Sequence, residues 1–151
     1  MTKPAVFLAT ALMTAVIGLV ALAPPASAWE GTSGKFNMWQ HDGYEGHSLS
    51  RYSYDTDLHN DSCSDCDPGW GGNFGDDMSS FVNKTRYWWV IYVAARYGDG
   101  TKFCVRPRSH DGDLGNNGFS NLEDEISSVK RTNRTGSDPG IIACHRIGHA
   151  N

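Results

Sequence analysis

Trp39-Gln40-His41-Asp42-Gly43-Tyr44-Glu45-Gly46 and, 53 positions later, Tyr92-Val93-Ala94-Ala95-Arg96-Tyr97-Gly98-Asp99-Gly100 are two versions of one pattern. Each runs aromatic, four residues, aromatic, then glycine, with one residue inserted before the glycine in the second copy. Each is followed, after a loop, by a second signature. The first is Gly75-Asp76-Asp77-Met78-Ser79-Ser80-Phe81-Val82, and the second is Glu123-Asp124-Glu125-Ile126-Ser127-Ser128-Val129-Lys130. Two motifs in the same order at a similar spacing imply two copies of one supersecondary unit.

The physics of one unit is readable. The first aromatic sits on a strand, the chain turns back in a hairpin, and the second aromatic covers the turn. The glycine relieves a backbone position that a side chain would strain. Asp and Ser at the loop's end bond local backbone groups, and the apolar pair after Ser-Ser starts a closing strand. One unit cannot bury its own apolar face, whereas two packed together can.

Working outward, Lys35–Arg51 has strand character, with Phe36 and Met38 alternating with polar residues. Tyr87–Ala95 is aromatic and β-branched, as a buried strand is, and Thr101–Arg106 reads as another strand. Ser53–Asp77 and Ser109–Asn121 are rich in Asp, Ser, Gly and Asn and read as long loops. The tail from Asn133 to Asn151 shows little pattern beyond Ile141-Ile142, and no segment has a helical period. With 17 glycines and many turns, the expected class is all-β.

The chain opens with Lys3, continues through the uncharged apolar stretch Ala5–Leu22, and then reads Pro24-Pro25-Ala26-Ser27-Ala28. A basic start, an apolar middle and a small-x-small end are the three parts of a cleavable secretion signal. The rival is a membrane anchor, which needs about 18 apolar residues; the two prolines and the Ala-Ser-Ala step favour the signal. The expected organisation is a signal peptide over 1–28 and a mature domain over 29–151, with a first unit at 35–82, a second at 87–132 and a tail at 133–151. The leader holds one of the 13 Lys+Arg and none of the 17 Asp+Glu, so the mature chain carries 12 cations against 17 anions, net −5. A mildly acidic protein has no electrostatic reason to seek nucleic acid. After signal cleavage nothing is expected to hold the chain to a membrane, and a secreted, extracellular monomer is expected.

All four cysteines, Cys63, Cys66, Cys104 and Cys144, lie in the mature part. In an exported chain an even count reads as two disulfides. Three pairings are open; Cys63–Cys66 with Cys104–Cys144 is favoured because the second bond would tie down the tail. Zinc competes for Cys63-x2-Cys66 and for His145-x3-His149, but disulfides are the stronger expectation in this compartment, and the histidine pair reads as solvated tail. No Gly-x-Ser-x-Gly elbow is present, and paired carboxylates occur only inside the repeat signatures, so no enzyme is expected. Tyr87-Trp88-Trp89 reads as core rather than as a binding platform: one tryptophan should enter the core and its neighbour point the other way. Asn60, Asn83 and Asn133 begin Asn-x-Ser/Thr triplets, which read as chance.

The two aromatic corners and the two Asp/Ser signatures resemble the βγ-crystallin motif. Within that superfamily, the leader, the cysteines and Met78-Ser79-Ser80-Phe81-Val82-Asn83-Lys84-Thr85 look most like the small secreted metalloproteinase inhibitors of actinobacteria (peptidase inhibitor family thirty-six) and the related killer-toxin-like proteins. The resemblance spans about Lys35 to Thr132. It implies two βγ-crystallin-like Greek-key units packed in one domain, and an extracellular protease as partner. It also implies calcium ligation by the Ser79 and Ser127 hydroxyls and the Asp77 and Glu125 carbonyls, with charge from Asp76 and Asp124. Gly75 and Glu123 stand where the motif has Asn or Asp, so calcium binding is expected to be weak at most and no cofactor is required. A rigid, disulfide-held loop can sit in a protease cleft with little entropy left to lose, and two segments could be that loop. Cys63-Ser64-Asp65-Cys66 is acidic, so Cys104, Val105 and Arg106, followed by Pro107, are the preferred inhibitory segment. The rival class is a structural or antimicrobial secreted module on the same fold.

Overall fold

The computed structural model describes residues 31–63, 66, 72–98, 100–118, 122–137 and 144–150. The leader expected over 1–28 lies outside them, as do Asp99 of the second corner and Ser64-Asp65 of the short cysteine loop. Among the described residues no helix is long and apolar enough to cross a membrane.

Among the described residues, ten strands form two five-stranded sheets. They are β1 (Phe36–His41), β2 (Glu45–Arg51), β3 (Tyr54–Asp55), β4 (Ser80–Asn83), β5 (Trp89–Tyr92), β6 (Lys102–Val105), β7 (Ser109–Asp111), β8 (Ser128–Arg131), β9 (His145–Ile147) and β10 (His149–Ala150). The first sheet has the order β10-β7-β4-β1-β2 and the second β3-β8-β5-β6-β9. The all-β expectation holds, and both corners fall where their aromatics put them. Each unit lends one strand to the other: β3, from the first unit, pairs with β8, and β7, from the second, pairs with β4. The segments read as loops, Ser53–Asp77 and Ser109–Asn121, therefore contain the two exchanged strands. They are only two and three residues long and almost without apolar side chains, which hides them from any hydrophobic period.

The corners are equivalent in detail. Gly43 and Tyr44 take φ of 68° and 69°, and Arg96 and Tyr97 take 57° and 58°. Trp39 meets Tyr44 edge-on at 5.5 Å, and Tyr92 meets Tyr97 at 5.2 Å. The second serine of each signature clamps its own corner. Ser80 Oγ donates to His41 O at 2.7 Å and accepts from Tyr44 N at 3.2 Å; Ser128 Oγ donates to Ala94 O at 2.7 Å and accepts from Tyr97 N at 3.3 Å. Gly46, at φ 75°, must be glycine because a Cβ would strike His41 and Gln40.

The core lies between the sheets. Phe36, Met38 and Phe81 of one face Trp89, Ile91, Phe103, Val105 and Val129 of the other, with Phe36 stacked on Trp89 at 4.8 Å. Leu58 and Leu114, each fully buried on a short 3-10 turn, close it at one end. Truncating Phe36 or Trp89 to Ala should cost about 3–5 kcal/mol, the usual range for emptying an aromatic site. Trp88 and Trp89 do point opposite ways, yet both are buried. Trp88 sits with Val90 and Cys104 in a second cluster on the outer face of β5 and β6, against Tyr92 and Cys144. The tail supplies that cover. β9 runs parallel to β6, and β10 crosses to pair with β7. The tail is therefore not patternless, and His145 and His149 lie in different sheets rather than as a metal-binding pair.

Both disulfides form as expected, Cys63–Cys66 and Cys104–Cys144. The second fastens the tail to β6 across 40 residues.

Candidate functional site

Strand registers give the sandwich two chemically different ends. Trp39 pairs with Ser80 and Tyr92 with Ser128 at one end; Phe36 pairs with Asn83, and Trp89 with Val105 and Arg131, at the other.

The first end gathers the Asp/Ser signatures, and it does so across the units. Asp76 N donates to Ile126 O at 3.1 Å and Asp124 N to Met78 O at 3.4 Å. Asp76 and Asp124 sit at φ 54° and 56°. Ser79 Oγ donates to Asp124 Oδ1 at 3.2 Å, and Ser127 Oγ to Asp76 Oδ1 at 2.6 Å. Four of the six residues expected to concern calcium thus meet as two pairs, each drawing on both units. Asp77, next to Asp76 in sequence, is buried, and Glu125 is exposed.

A third repeat, not anticipated from the sequence, completes each pair's surroundings. Ser53-Tyr54-Asp55-Thr56-Asp57-Leu58-His59-Asn60 recurs 56 positions on as Ser109-His110-Asp111-Gly112-Asp113-Leu114-Gly115-Asn116. In each, the second Asp caps a 3-10 turn by accepting from the backbone two residues on, His59 N at 3.2 Å and Gly115 N at 2.9 Å. Leu58 N donates to Ser127 O and Leu114 N to Ser79 O, both at 2.9 Å. The signal was present as Ser-x-Asp-x-Asp-Leu-x-Asn, inside stretches whose composition read as loop.

One position breaks the symmetry. His59 stands where the other copy has Gly115. Its Nε2 lies 3.1 Å from Asp76 Oδ2 and its Nδ1 3.3 Å from Asp57 Oδ1. A Cβ on Gly75 would collide with the same ring, which explains the glycine where the motif has Asn or Asp. Among the described residues no imidazole bridges the Asp113 and Asp124 carboxylates in this way, although the charge of His41 acts on Asp42. Burial, then Asp113 and Asp124, push the Asp42 carboxyl above its usual range; burial, then Asp42, Asp124 and Asp113, do the same for Glu123. Mutually repelling oxygen donors fit a hard cation, whereas the Asp76 side has its carboxylates already spanned by imidazole. Asp124, Ser79, Asp113 and Asp42 are the residues that could hold calcium, and they would supply only charge and hydroxyl oxygen. The Cys63 and Cys66 sulfurs are bonded to each other and offer a metal nothing.

The second end carries the segment expected to inhibit. Cys104 and Val105 are not on a loop. Both are fully buried on β6: Val105 packs in the main core, Cys104 packs with Trp88, Val90 and Cys144 on the other face, and β9 pairs along the strand's edge. Of the three residues only Arg106 is exposed. The accessible feature is the turn Arg106-Pro107-Arg108, which carries the chain from β6 in one sheet to β7 in the other. Arg108 takes φ 50°, and its N donates to Thr85 O at 3.0 Å. Asn83, 1% exposed, donates from Nδ2 to Arg106 O at 2.7 Å and Tyr87 O at 2.9 Å, so its triplet serves the fold and not glycosylation. Ser109 Oγ donates to Arg106 O at 2.7 Å.

A pair of Greek-key-like sheets with interlocked Asp/Ser loops defines a βγ-crystallin-type domain. A solved structure described under the evolution of the eye-lens βγ-crystallin domain fold is similar at a TM-score of 0.54 and 21% identity, covering 71% of this chain and 91% of that one. A βγ-crystallin from Ciona intestinalis (20% identity, 66% of this chain, 100% of that one) and one from an archaeon (18%, 67%, 100%) are similar at TM-scores of 0.48. No curated protein matches the sequence. The sequence model of peptidase inhibitor family I36 matches residues 24–105, and the chain belongs to that family. Peptidase inhibitors and crystallins are non-enzymatic kinds of protein.

Proposed function

We propose that the protein is secreted, loses residues 1–28, and inhibits an extracellular metalloprotease by presenting the turn Arg106-Pro107-Arg108 to the enzyme's cleft. The observation that carries this reading is the turn's construction. It is exposed, yet its backbone is held from beneath by Asn83, Thr85 and Ser109, and the strand leading into it is fastened by Cys104–Cys144. A segment already fixed in one conformation has little entropy to lose on binding. Val105, buried, supports the turn and Arg106 makes the contact. Family membership supports a protease as the partner; the metalloprotease class and the monomeric state follow the sequence resemblance.

The test is to incubate the mature protein with a thermolysin-like metalloprotease and, separately, with a serine protease. One-to-one inhibition of the first, weakened at least tenfold by Arg106→Ala, is expected. No inhibition of either enzyme at micromolar protein would leave the rival, a structural or antimicrobial module of the same fold.

A further inference from the structure

The end of the sandwich opposite the acidic loops holds a cleft of about 520 Å³ lined by Arg86, Arg106, Arg108 and Arg146, with Trp88, Pro107 and residues 135–137 completing its walls. We propose that this cleft is a binding site for a compact multivalent oxyanion, a phosphate or sulfate group.

Three observations carry it. The first is segregation of charge. The chain is net negative, −4 overall, yet four of its 13 Lys and Arg line one cleft, and no acidic side chain is among the described residues that do so. The carboxylates of Asp42, Asp76, Asp113, Glu123 and Asp124 belong to the other end.

The second is that the cleft is built rather than incidental. Its arginines come from three separate stretches of chain, joined there by the fold. Trp88 Nε1 donates to Gly136 O at 2.8 Å and Trp88 N to Arg134 O at 3.0 Å, which fix the tail as one wall. The Arg106–Arg108 turn is clamped as described above, and the Arg146 guanidinium lies 5.8 Å from the Trp88 ring.

The third, just outside the lining of the cleft, is a reporter of positive potential around Arg86. Tyr87 is flanked by the Arg86 and Arg131 guanidiniums, at 5.2 and 4.6 Å from its ring. The hydrogen bond from Arg86, then the charges of Arg86 and Arg131, hold its phenol below the usual value.

Guanidinium forks pair with oxyanions through two parallel N–H donors, and phosphate or sulfate offers more acceptor oxygens than a carboxylate does. Several guanidiniums around one small volume therefore favour a tetrahedral oxyanion over an acidic peptide, whose carboxylates are strung along a backbone. The site does not depend on protease inhibition, although Arg106 and Arg108 serve both readings. It also differs in kind from nucleic-acid binding, since the cleft is compact and its one indole is buried.

The test is calorimetry on the mature secreted protein with inorganic tripolyphosphate as the free anion and dextran sulfate as the polymer-borne one. Saturable one-to-one binding of tripolyphosphate, or of dextran sulfate alone, supports the site and says which source it takes. Arg106→Gln and Arg146→Gln should each weaken binding roughly tenfold, as loss of a charge-assisted pair does. Lys102→Gln, which removes a cation at the other end of β6, should leave it within twofold. Both arginine positions are exposed, so circular dichroism should be unchanged. Absence of saturable binding by either probe overturns the proposal. So does an equal loss in Lys102→Gln, which would mean attraction to overall charge only.

Discussion

Ser127 Oγ, from the second unit, donates to Asp76 Oδ1, from the first, at 2.6 Å, and its quasi-equivalent, Ser79 to Asp124, is longer at 3.2 Å. The two sides also differ in His59, whose ring spans Asp57 and Asp76 on the tighter side, where the other copy has Gly115. A calcium titration of chelator-treated protein should therefore find one weak equivalent, abolished by Asp124→Asn and unaffected by Asp76→Asn. His59→Gly, which restores the Gly115-like arrangement, should add a second. Submicromolar binding at two sites in the unaltered protein would show that His59 does not fill its loop.

The Cys104–Cys144 bond joins the β6 strand to a tail whose own pairings are short. Cys104→Ala together with Cys144→Ala should lower unfolding free energy by roughly 2–5 kcal/mol, the usual cost of removing a native disulfide from a small secreted domain. Urea denaturation measures it. Trp88 should lose its cover at the same time, seen as a red shift of its fluorescence. Thiol titration of the unaltered protein after denaturation without reductant should find none free. A native protein with even two titratable thiols would contradict the observed pairing.

His110 links the two units' strands to the tail and gives the fold a pH dependence. Tyr44 Oη lies 2.8 Å from His110 Nδ1, and the His149 ring is 6.0 Å from that of His110. Burial, then Asp111, pushes the Tyr44 phenol up to about 12, so it stays protonated. Burial, then the charge of His149, holds His110 below the usual imidazole value. A depressed folded value means the unfolded chain takes the proton more readily. The contribution is therefore fully present above about pH 6.5, the unfolded value, and is lost as pH falls through the lower folded one. The urea midpoint should fall between pH 8 and pH 5, and fall less in His110→Gln than in the unaltered protein. Equal slopes would remove His110 from the account.

What the sequence disclosed tracks how each feature encodes itself. The aromatic corners and the Ser-Ser clamps were legible because a tight turn and a positive φ demand particular residue types at fixed offsets. The exchanged strands were not. Tyr54–Asp55 and Ser109–Asp111 are held by backbone pairing and by neighbours distant in sequence, and carry no apolar alternation to betray them. Phe103-Cys104-Val105 misled for a related reason. Three consecutive apolar residues mark a strand covered on both faces, but the outer cover of this one comes from Trp88 and from Cys144, which the disulfide brings in from 40 residues away. The role of His59 lay in a comparison of two stretches that composition alone had assigned to loop.

Asn83 gives the sharpest separation between surface contact and its support. It is fully buried at the end of β4. Its Nδ2 serves Tyr87 O and Arg106 O, and its Oδ1 accepts from Thr85 N at 3.0 Å and Thr85 Oγ1 at 2.7 Å. Asn83→Ala strands these groups in a site with little access to water, at about 1–3 kcal/mol for each group left unpaired. Asn83→Asp keeps the acceptor and loses both donors, placing a carboxylate against two carbonyls, so it should be no milder. Neither substitution alters the exposed face of the turn. If rigidity of Arg106-Pro107-Arg108 underlies inhibition, Asn83→Ala should weaken it even under conditions where the variant is fully folded. Measured as rates, the loss should appear mainly as faster dissociation, because affinity differences among variants of one interface lie mostly there. Arg106→Ala, by contrast, should weaken inhibition with no change in the urea midpoint. Asn83→Ala that loses stability while retaining full inhibition would place the contact surface elsewhere on the molecule.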